Sequence, residues 1–236
     1  MSKNENLHNA KTAKNDEFYT QYSDIEAEMN AYIEYDKDVF RGKTILCPCD
    51  DPEWSNFTKY FVANFKRLGL KKFISTSYAP KHEDRKVSLW EESNDNYNPE
   101  LTQSHGKVFI LDGDADGSGV IDKDDIRFEY LSGDGDFRSE EVTKLRDEAD
   151  FIITNPPFSL FREFIAWVME GGKKFSVIGN FNAVTYKEVF PLIRNNDMWL
   201  GATRNGTGSM WFVIPSDGEG MTGIKKENGV TYQTIG

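Results

Sequence analysis

Apolar residues along the chain follow two patterns, short continuous runs and stripes at helical spacing. The short runs, rich in β-branched and aromatic residues, are typical of buried strands. They predict strands at KTILC (43–47), KKFISTS (71–77), KVFIL (107–111), FII (151–153) and KKFSVI (173–178). The stripes are typical of helices with one buried face. They predict helices at SDIEAEMNAYIEYD (23–36), SNFTKYFVANFKRLGL (55–70), SEEVTKLRDEA (139–149) and SLFREFIAWVME (159–170).

Strands and helices alternate along the chain, which predicts an α/β fold with an open, mostly parallel sheet and helices on both faces. Two apolar runs near the end, MWLG (198–201) and SMWFVIP (209–215), predict a terminal antiparallel hairpin. Residues 79–106 are expected to be irregular. We expect residues 1–236 to form one domain. Because the chain stops in the strand-like run GVTYQTIG (229–236), we also expect the natural protein to continue into a missing C-terminal segment.

Composition indicates a globular protein of the cytoplasm. Hydrophobic residues make up 38% of the 236, yet no run approaches the roughly 18 apolar residues that span a bilayer. The first 17 residues are polar and lack the apolar centre of a signal peptide. Cys47 and Cys49 are too close for an ordinary disulfide and too few for a zinc site, so we expect reduced thiols.

The net charge of −11 argues at first against a nucleic-acid partner, because phosphate contacts need Lys and Arg. The acidity is concentrated in residues 106–150, which carry 14 acidic and six basic side chains. The remaining residues are close to neutral in sum, so the net charge does not exclude a nucleic-acid partner, although nothing in the sequence shows a basic face.

The motif TNPPF (154–158) lies between a predicted strand and a predicted helix, where open α/β sheets bind ligands. Two prolines cannot continue a strand, so the chain must leave the sheet there. The side-chain oxygen of Asn155 and the carbonyl oxygen of Pro156 can accept both hydrogens of one amino group. Phe158 can stack on the ring that bears this amine. The alternative is that Asn-Pro-Pro only starts a turn.

An amine held in this way directs its lone pair at an electrophile, for which we expect the methyl group of a sulfonium. Adenine and cytosine amines are paired and stacked in a duplex. The enzyme would therefore have to flip the base out, at a cost of roughly a few kcal/mol.

Five stretches together resemble the adenine-N6-specific DNA methyltransferases of the EcoRI modification type. They are KNDEFYTQYSDIEAEMNAY (14–32), CPCDDPEWSNFTKYFVANFKRLGLKK (47–72), SGDGDFRSEE (132–141), TNPPFSLFREF (154–164) and IGNFNAVTYKEVFPLI (178–193). The resemblance implies a class I, Rossmann-like methyltransferase fold with S-adenosylmethionine as the donor. It also implies site-specific methylation of adenine N6 in double-stranded DNA, for restriction-modification or for protection of phage or host DNA. We expect a monomer encoded by a bacterium or a phage.

The same resemblance assigns the methionine end of the donor to two segments. The loop after the first strand would bind it, with Asp50 or Asp51 meeting the ammonium group. The alternative is that the two acids cap the next helix. The segment EFYT (17–20) would pack over the methionine part, unless its aromatic residues only fill the core. The candidates are Phe18, Tyr19, Thr20, Cys49, Asp50, Asp51 and Pro52.

The adenosine part of the donor is assigned to the loop GDGDFRS (133–139). Asp136, or Asp134 in its place, would accept a hydrogen bond from the adenine amine, and Phe137 would lie on the adenine ring. An acidic residue usually follows the second strand and binds the ribose, but this chain has none there. A residue of TSY (76–78) would have to replace it, or the contact comes from elsewhere.

Residues 114–125, DADGSGVIDKDD, match the spacing of a twelve-residue calcium loop within an acidic insertion at about 112–131. Gly119 and Ile121 stand at the sixth and eighth positions. A strand is predicted before the loop where a helix is usual, and an acidic run can also be a solvated turn. The candidate ligands of a structural calcium ion are Asp114, Asp116, Ser118, Asp122 and Asp125.

Two other kinds of function fit the same residues. The acceptor pair would serve cytosine N4, an RNA adenine or a glutamine side chain equally well. A methyltransferase fold that has lost catalysis could act as a DNA-binding or calcium-binding module. The family resemblance favours duplex adenine, and the presence of Asn155, Phe158 and Asp136 favours an active enzyme.

Overall fold

The computed structural model of the chain describes residues 20–53, 55–79, 87, 89–202, 210–213 and 224–234. The helices are α1 Tyr22–Tyr35, α2 Asn56–Leu68, α3 Leu89–Glu92, α4 Glu140–Glu148, α5 Phe161–Glu170 and α6 Phe190–Arg194. The strands are β1 Thr44–Cys47, β2 Lys72–Thr76, β3 Lys107–Leu111, β4 Arg127–Tyr130, β5 Phe151–Thr154, β6 Lys174–Val177, β7 Trp211–Val213, β8 Ile224–Glu227 and β9 Val230–Thr234. Short 3-10 turns occupy Lys123–Asp125, Phe158–Leu160 and Phe181–Thr185.

Six strands form the main sheet, in the order β4-β3-β2-β1-β5-β6. β1 pairs in parallel with β2 and β5, and β5 pairs in parallel with β6. β3 is antiparallel to both of its neighbours, so β4 runs in the same direction as β2. The predicted Rossmann-like α/β architecture with a mostly parallel sheet is confirmed.

Helices cover both faces of this sheet. Ile45 and Leu46 are neighbours in β1 but belong to different hydrophobic clusters, because successive side chains of a strand point to opposite faces. α1 and α2 pack on the first face, where Met29 and Phe61 are buried. α4 and α5 pack on the second face, where Phe164 is fully buried.

Helix α2 begins and ends where the sequence predicts. The Ser55 hydroxyl accepts a hydrogen bond from the Phe57 N–H at 3.0 Å, which satisfies one of the free amides of the first turn. Gly69 ends the helix with a φ of 64°, a left-handed conformation that favours glycine. The Ser55 cap fixes the start of the helix directly after the predicted donor loop, and Gly69 fixes its end.

One edge of the main sheet differs from the prediction. Strand β4 was not predicted, because its four residues RFEY alternate exposed charges with the buried Phe128 and give no continuous apolar run. A parallel strand after β2 would need a long crossover connection. Within the described part of residues 77–106 the only helix is the short α3, and β3 returns antiparallel.

The end of the chain forms a separate three-stranded antiparallel sheet in the order β7-β9-β8. A terminal antiparallel hairpin is therefore present, formed by β8 and β9. The predicted pairing of MWLG (198–201) with SMWFVIP (209–215) is wrong, because residues 198–201 form no strand and β7 pairs with β9. Sequence reasoning missed β8 because IKKE is mostly charged.

The carboxyl ends of β1, β2, β4 and β5 meet at one edge of the main sheet, because these strands share one direction. They bring together residues 48–52, 77–79, 131–137 and 155–158. Two of these segments touch closely: Gly135 has a φ of +82°, and a Cβ atom there would lie 2.1 Å from the Ser77 carbonyl oxygen. Only glycine fits this contact. No helix in the described part of the chain is long and apolar enough to cross a membrane.

Candidate active site

The NPP turn lies directly after β5, as predicted. Thr154, the last residue of the strand, is fully buried, and its carbonyl oxygen accepts a hydrogen bond from the Ile178 N–H at 3.2 Å. Pro156 is buried and Asn155 is half-buried. The turn therefore places the Asn155 amide and the Pro156 carbonyl at the carboxyl edge of the sheet. Their action on an amine stays a prediction.

An aromatic pair lies beside this turn. Phe158 is half-buried, and its ring meets the ring of Phe212 at a centroid distance of 6.2 Å and an angle of 77°. Phe212 belongs to β7 and is 3% exposed. Sequence reasoning missed Phe212, because β7 reaches the turn only through the tertiary fold. The contact is edge-to-face, so Phe212 holds the Phe158 ring in place, and Phe158 is the more accessible of the two rings.

Asp50 is buried at the centre of the candidate donor loop and bonds to the NPP turn. Its carboxylate accepts hydrogen bonds from the Ser55 hydroxyl at 2.9 Å and from the Thr154 hydroxyl. The Asn155 N–H also donates to it. Asp50 therefore links the loop after β1 to the turn after β5.

Burial raises the pKa of Asp50 from 3.8 to about 6, while the hydrogen bonds from Thr154, Ser55 and Asn155 oppose this rise. The carboxyl group is then largely ionised at neutral pH, inside a setting of satisfied hydrogen bonds. An ionised carboxylate in this position suits a nearby cationic ligand.

The other residues of the donor loop have different surroundings. Asp51 is half-buried, and its side chain accepts a hydrogen bond from the Glu53 N–H at 2.9 Å. Pro52 is buried. The Cys49 thiol is itself removed from solvent, which raises its pKa well above the usual range. Asp51 is thus the more accessible of the two carboxylates for the donor ammonium. Helix capping falls to Ser55, which is itself bonded to Asp50.

The loop assigned to the donor adenine lies at the same edge. This loop contacts the segment after β2 directly, because the Ala79 N–H donates to the Asp134 carbonyl oxygen at 2.7 Å. The Asp136 carboxylate forms an ion pair with Arg138 at 2.6 Å, and hydrogen bonds from Arg138 lower the pKa of Asp136. Arg138 also contacts Glu163 of α5 at 2.7 Å. This loop is therefore tied to the helix that follows the NPP turn.

Phe137 is buried in the core. Its ring lies 5.1 Å from that of Phe164 and 5.5 Å from that of Trp167. This packing anchors the loop to the second face of the sheet, and stacking of Phe137 on the donor stays a prediction. Tyr78, by contrast, is 52% exposed at the end of β2. Burial and the charges of Asp134 and Asp136 raise the pKa of the Tyr78 phenol.

Thr76 and Ser77 use their hydroxyls within the fold. The Thr76 hydroxyl donates to the Pro48 carbonyl oxygen at 3.0 Å, and the Ser77 hydroxyl accepts from the Lys107 N–H at 3.1 Å. Of the three residues considered for the donor ribose, Tyr78 is therefore the one whose side chain is exposed at this edge.

The predicted EFYT segment is described only at its last residue. Thr20 is 4% exposed, and its carbonyl oxygen accepts a hydrogen bond from the Asn56 side chain at 2.8 Å. Its hydroxyl has no hydrogen-bond partner among the described residues. Thr20 therefore lies next to the start of α2. Phe18 and Tyr19 lie outside the described residues.

The acidic loop is folded around a group of carboxylates from Asp114, Asp116 and Asp125, whose oxygens lie within 4.8 Å of one another. Gly119 has a φ of +86°, and its N–H donates to Asp114 at 2.7 Å. The Lys66 ammonium group lies 3.9 Å from Asp114 and supplies a positive charge to the loop.

The other two candidate ligands are not part of this group. The Ser118 hydroxyl donates to the Val120 carbonyl oxygen at 3.1 Å, and the Asp122 side chain accepts from the Asp124 N–H at 2.8 Å. The structure therefore brings together three of the five candidate ligands, and calcium binding stays a prediction.

Comparison with known proteins connects these residues to a family. The family model described as "Adenine-specific methyltransferase EcoRI" matches residues 6–236. Type II methyltransferase M.EcoRI of Escherichia coli is 43% identical over 212 residues, which are 90% of this chain and 59% of that protein. Type II methyltransferase M.MpnI of Mycoplasma pneumoniae is 33% identical over 231 residues, 96% of this chain and 60% of that protein.

A third relative, Type II methyltransferase M.MgeORF184P of Mycoplasma genitalium, is 35% identical over 208 residues, 88% of this chain and 54% of that protein. No solved structure gives a significant match. The chain spans somewhat more than half the length of these curated relatives. The family match covers residues 48–52, residues 133–139 and the NPP turn. This chain therefore belongs to the EcoRI family of adenine-specific methyltransferases.

Proposed function

We propose that this chain contains the catalytic domain of a DNA methyltransferase that transfers a methyl group from S-adenosylmethionine to N6 of adenine in double-stranded DNA. The main supporting observation is the bond of Asp50 to both Thr154 and the Asn155 N–H. This carboxylate joins a loop suited to the donor to a turn suited to the acceptor. Membership of the family supports the same reaction.

On the acceptor side, Asn155 and Pro156 hold the amine. The amide oxygen and the carbonyl oxygen each accept one amine hydrogen, which draws the nitrogen toward tetrahedral geometry and directs its lone pair outward. Phe158 stacks on the flat base, and Phe212 packs against the Phe158 ring and holds it in place. No side chain has to remove a proton beforehand, because the nitrogen becomes acidic only after it has gained the methyl group.

On the donor side, the residues at the sheet edge fit S-adenosylmethionine. Asp51 offers an accessible carboxylate to the ammonium group. Tyr78, with 52% of its side chain exposed, and the adjacent carboxylates of Asp134 and Asp136 suit the adenosine part. When bound, the donor supplies a methyl group on a positively charged sulfur. Phe18, Tyr19, Thr20 and Phe137 complete the proposed donor site.

The proposal includes base flipping, because a paired adenine cannot reach a turn at the sheet edge. The chain would work as a single domain and as a monomer in the cytoplasm of a bacterium, in restriction-modification or in protection of DNA. We also keep calcium as a proposed structural ion of the loop 114–125. Calorimetric titration of calcium into the protein and into an Asp125→Asn variant tests this. Equal heats of calcium addition for the two proteins would contradict it.

Incubation with labelled donor tests the substrate directly. The chain is offered plasmid DNA, cellular RNA and protein in separate reactions, and the nucleic acids are digested to nucleosides. Label in N6-methyl-2′-deoxyadenosine from DNA supports the proposal. Label in methylated deoxycytidine, in RNA alone or in protein would instead indicate another amine. Binding of S-adenosylhomocysteine without any transfer would indicate an inactive relative.

A further inference from the structure

We propose that Thr154 is a positioning residue for methyl transfer, whose hydroxyl holds the donor loop in register with the NPP turn through Asp50. This inference rests on the proposed function, because it assigns the donor to the loop 48–52 and the acceptor to Asn155. Nothing in the spacing of the motif TNPPF requires a hydroxyl at its first residue.

The donor loop is fixed in an unusual way. Its residues PCDDP (48–52) include no glycine, whereas nucleotide-binding loops after a first strand usually hold their ligand through a glycine-rich backbone. A layer of buried hydroxyls lies beneath it instead, each at most 3% exposed. The layer consists of Ser55, Thr58, Ser75, Thr76 and Thr154.

Two hydroxyls of β2 hold the main chain of the loop. Ser75 donates to the Asp50 carbonyl oxygen at 2.9 Å, and Thr76 donates to the Pro48 carbonyl oxygen at 3.0 Å. Thr58 of α2 donates in turn to Ser75 at 3.1 Å. These bonds fix the loop relative to β2, and none of them involves β5.

Thr154 is the member of this layer that belongs to β5, and its hydroxyl bonds to the Asp50 carboxylate. The next residue, Asn155, would hold the target amine. Removing the hydroxyl would leave a buried carboxylate with one donor fewer and weaken the link between loop and turn. Because small misplacements of reacting groups are costly, transfer should suffer more than donor binding.

The charge of Asp50 gives this link a specific signature. The titratable groups facing it are the thiols of Cys47 and Cys49 and the carboxylate of Asp51. Burial raises the pKa of both thiols well above the usual range, so they stay neutral in the range around pH 6. The Thr154 hydroxyl favours the ionised form of Asp50, so its loss moves the ionisation of Asp50 to higher pH.

The test compares Thr154→Val, which removes the hydroxyl at nearly constant volume, with Thr154→Ser, which keeps it. Thr143→Val is the matched control, because its hydroxyl accepts a hydrogen bond from Trp167 at 3.1 Å far along the chain from the donor loop. Turnover of labelled donor on DNA and calorimetric binding of S-adenosylhomocysteine are measured from pH 5 to 8. Thermal unfolding checks that each variant is folded.

We expect Thr154→Val to lower kcat by about tenfold or more while changing the Kd of S-adenosylhomocysteine by less than about threefold at pH 8. The midpoint of the acid limb, the pH at which kcat reaches half of its maximum on the acid side, should rise by about one unit. Loss of a hydrogen bond to the ionised Asp50 removes about 1.5 kcal/mol of stabilisation from that form, which corresponds to about one pKa unit. Thr154→Ser should restore both values. Equal effects of Thr154→Val and Thr143→Val, or an unshifted midpoint, would overturn the inference.

Failure of the proposed function has a different outcome. If the unmodified chain transfers no methyl group to DNA, the proposed function is wrong. The pH dependence of S-adenosylhomocysteine binding then tests Thr154 alone. A midpoint of the pH dependence of binding that rises in Thr154→Val and returns to the wild-type value in Thr154→Ser supports the link between Thr154 and the donor loop. An identical midpoint in all variants contradicts it.

Discussion

Replacing Asp50 by asparagine should change the way in which the stability of the protein depends on pH. Burial raises the pKa of Asp50 from 3.8 to about 6 in the folded state. A difference of about two pKa units corresponds to about 3 kcal/mol in the free energy of unfolding. This makes Asp50 a titrating group with a large and localised effect, because its side chain is only 7% exposed.

The sign follows from the raised pKa. Below about pH 4 the carboxyl group is protonated in both states, and its contribution to stability is fully present. At about pH 6 the Asp50 carboxyl group is already ionised in the unfolded chain, whereas in the folded chain it is still about half protonated. The wild-type protein therefore loses up to about 3 kcal/mol from this group between pH 4 and pH 7, whereas asparagine does not titrate.

Urea unfolding followed by circular dichroism at pH 4, 5, 6 and 7 would measure this. The stability of the wild type relative to Asp50→Asn should fall steadily over that range. Asp51→Asn serves as the control, because it removes a carboxylate of the same loop that is more exposed. A constant difference between wild type and Asp50→Asn at all four pH values would refute the assignment of a buried, titrating carboxylate.

Substitutions at Asn155, Lys107 and Gly135 test the roles of the NPP turn, a buried ion pair and a close backbone contact. Asn155→Ala should lower kcat by about 100-fold or more while donor binding stays nearly unchanged. Single-turnover assays measure the first effect and calorimetry the second, and a large loss of donor affinity would contradict the role given to Asn155. Lys107→Met should cost about 3–5 kcal/mol in urea unfolding, because it leaves the buried carboxylate of Glu91 without its cation, and adding Glu91→Gln should recover most of that loss. Gly135→Ala should lower the free energy of unfolding in urea by about 2 kcal/mol or more, because φ is positive there and the new Cβ atom would lie 2.1 Å from the Ser77 carbonyl oxygen. Gly133→Ala is the control and should be nearly neutral, because its Cβ atom would meet no atom within 4 Å.

The sequence predicted the strand before the NPP turn and the helix after it, because local signals dominate there. An apolar run ended by two prolines has few alternatives, and the stripe of α5 is strongly periodic. The meeting of residues 48–52 and 155–158 also followed from the predicted fold, because loops after parallel strands share one edge. Residues 131–137 follow the unpredicted strand β4, so only the family resemblance assigned them to the donor.

Contacts between distant residues could not be predicted. Asp50 lies in a charged loop, and its carboxylate accepts a hydrogen bond from Thr154, which is 104 positions away. The packing of Phe137 against Phe164 and Trp167 of α5 could not be predicted either, because it joins a loop to a helix that comes later in the chain. Strand β4 gave no signal because hydrogen bonding to β3, rather than side-chain periodicity, places it in the sheet.

The most direct test of the central claim is to map the product on DNA. Unmethylated plasmid is treated with the purified chain and S-adenosylmethionine, and modified bases are located by single-molecule sequencing. We expect N6-methyladenine at one short recurring site after treatment with the unmodified chain, and none after treatment with Asn155→Ala. Modified cytosine, or N6-methyladenine that persists with Asn155→Ala, would contradict the assignment of the NPP turn as the grip on the adenine amine.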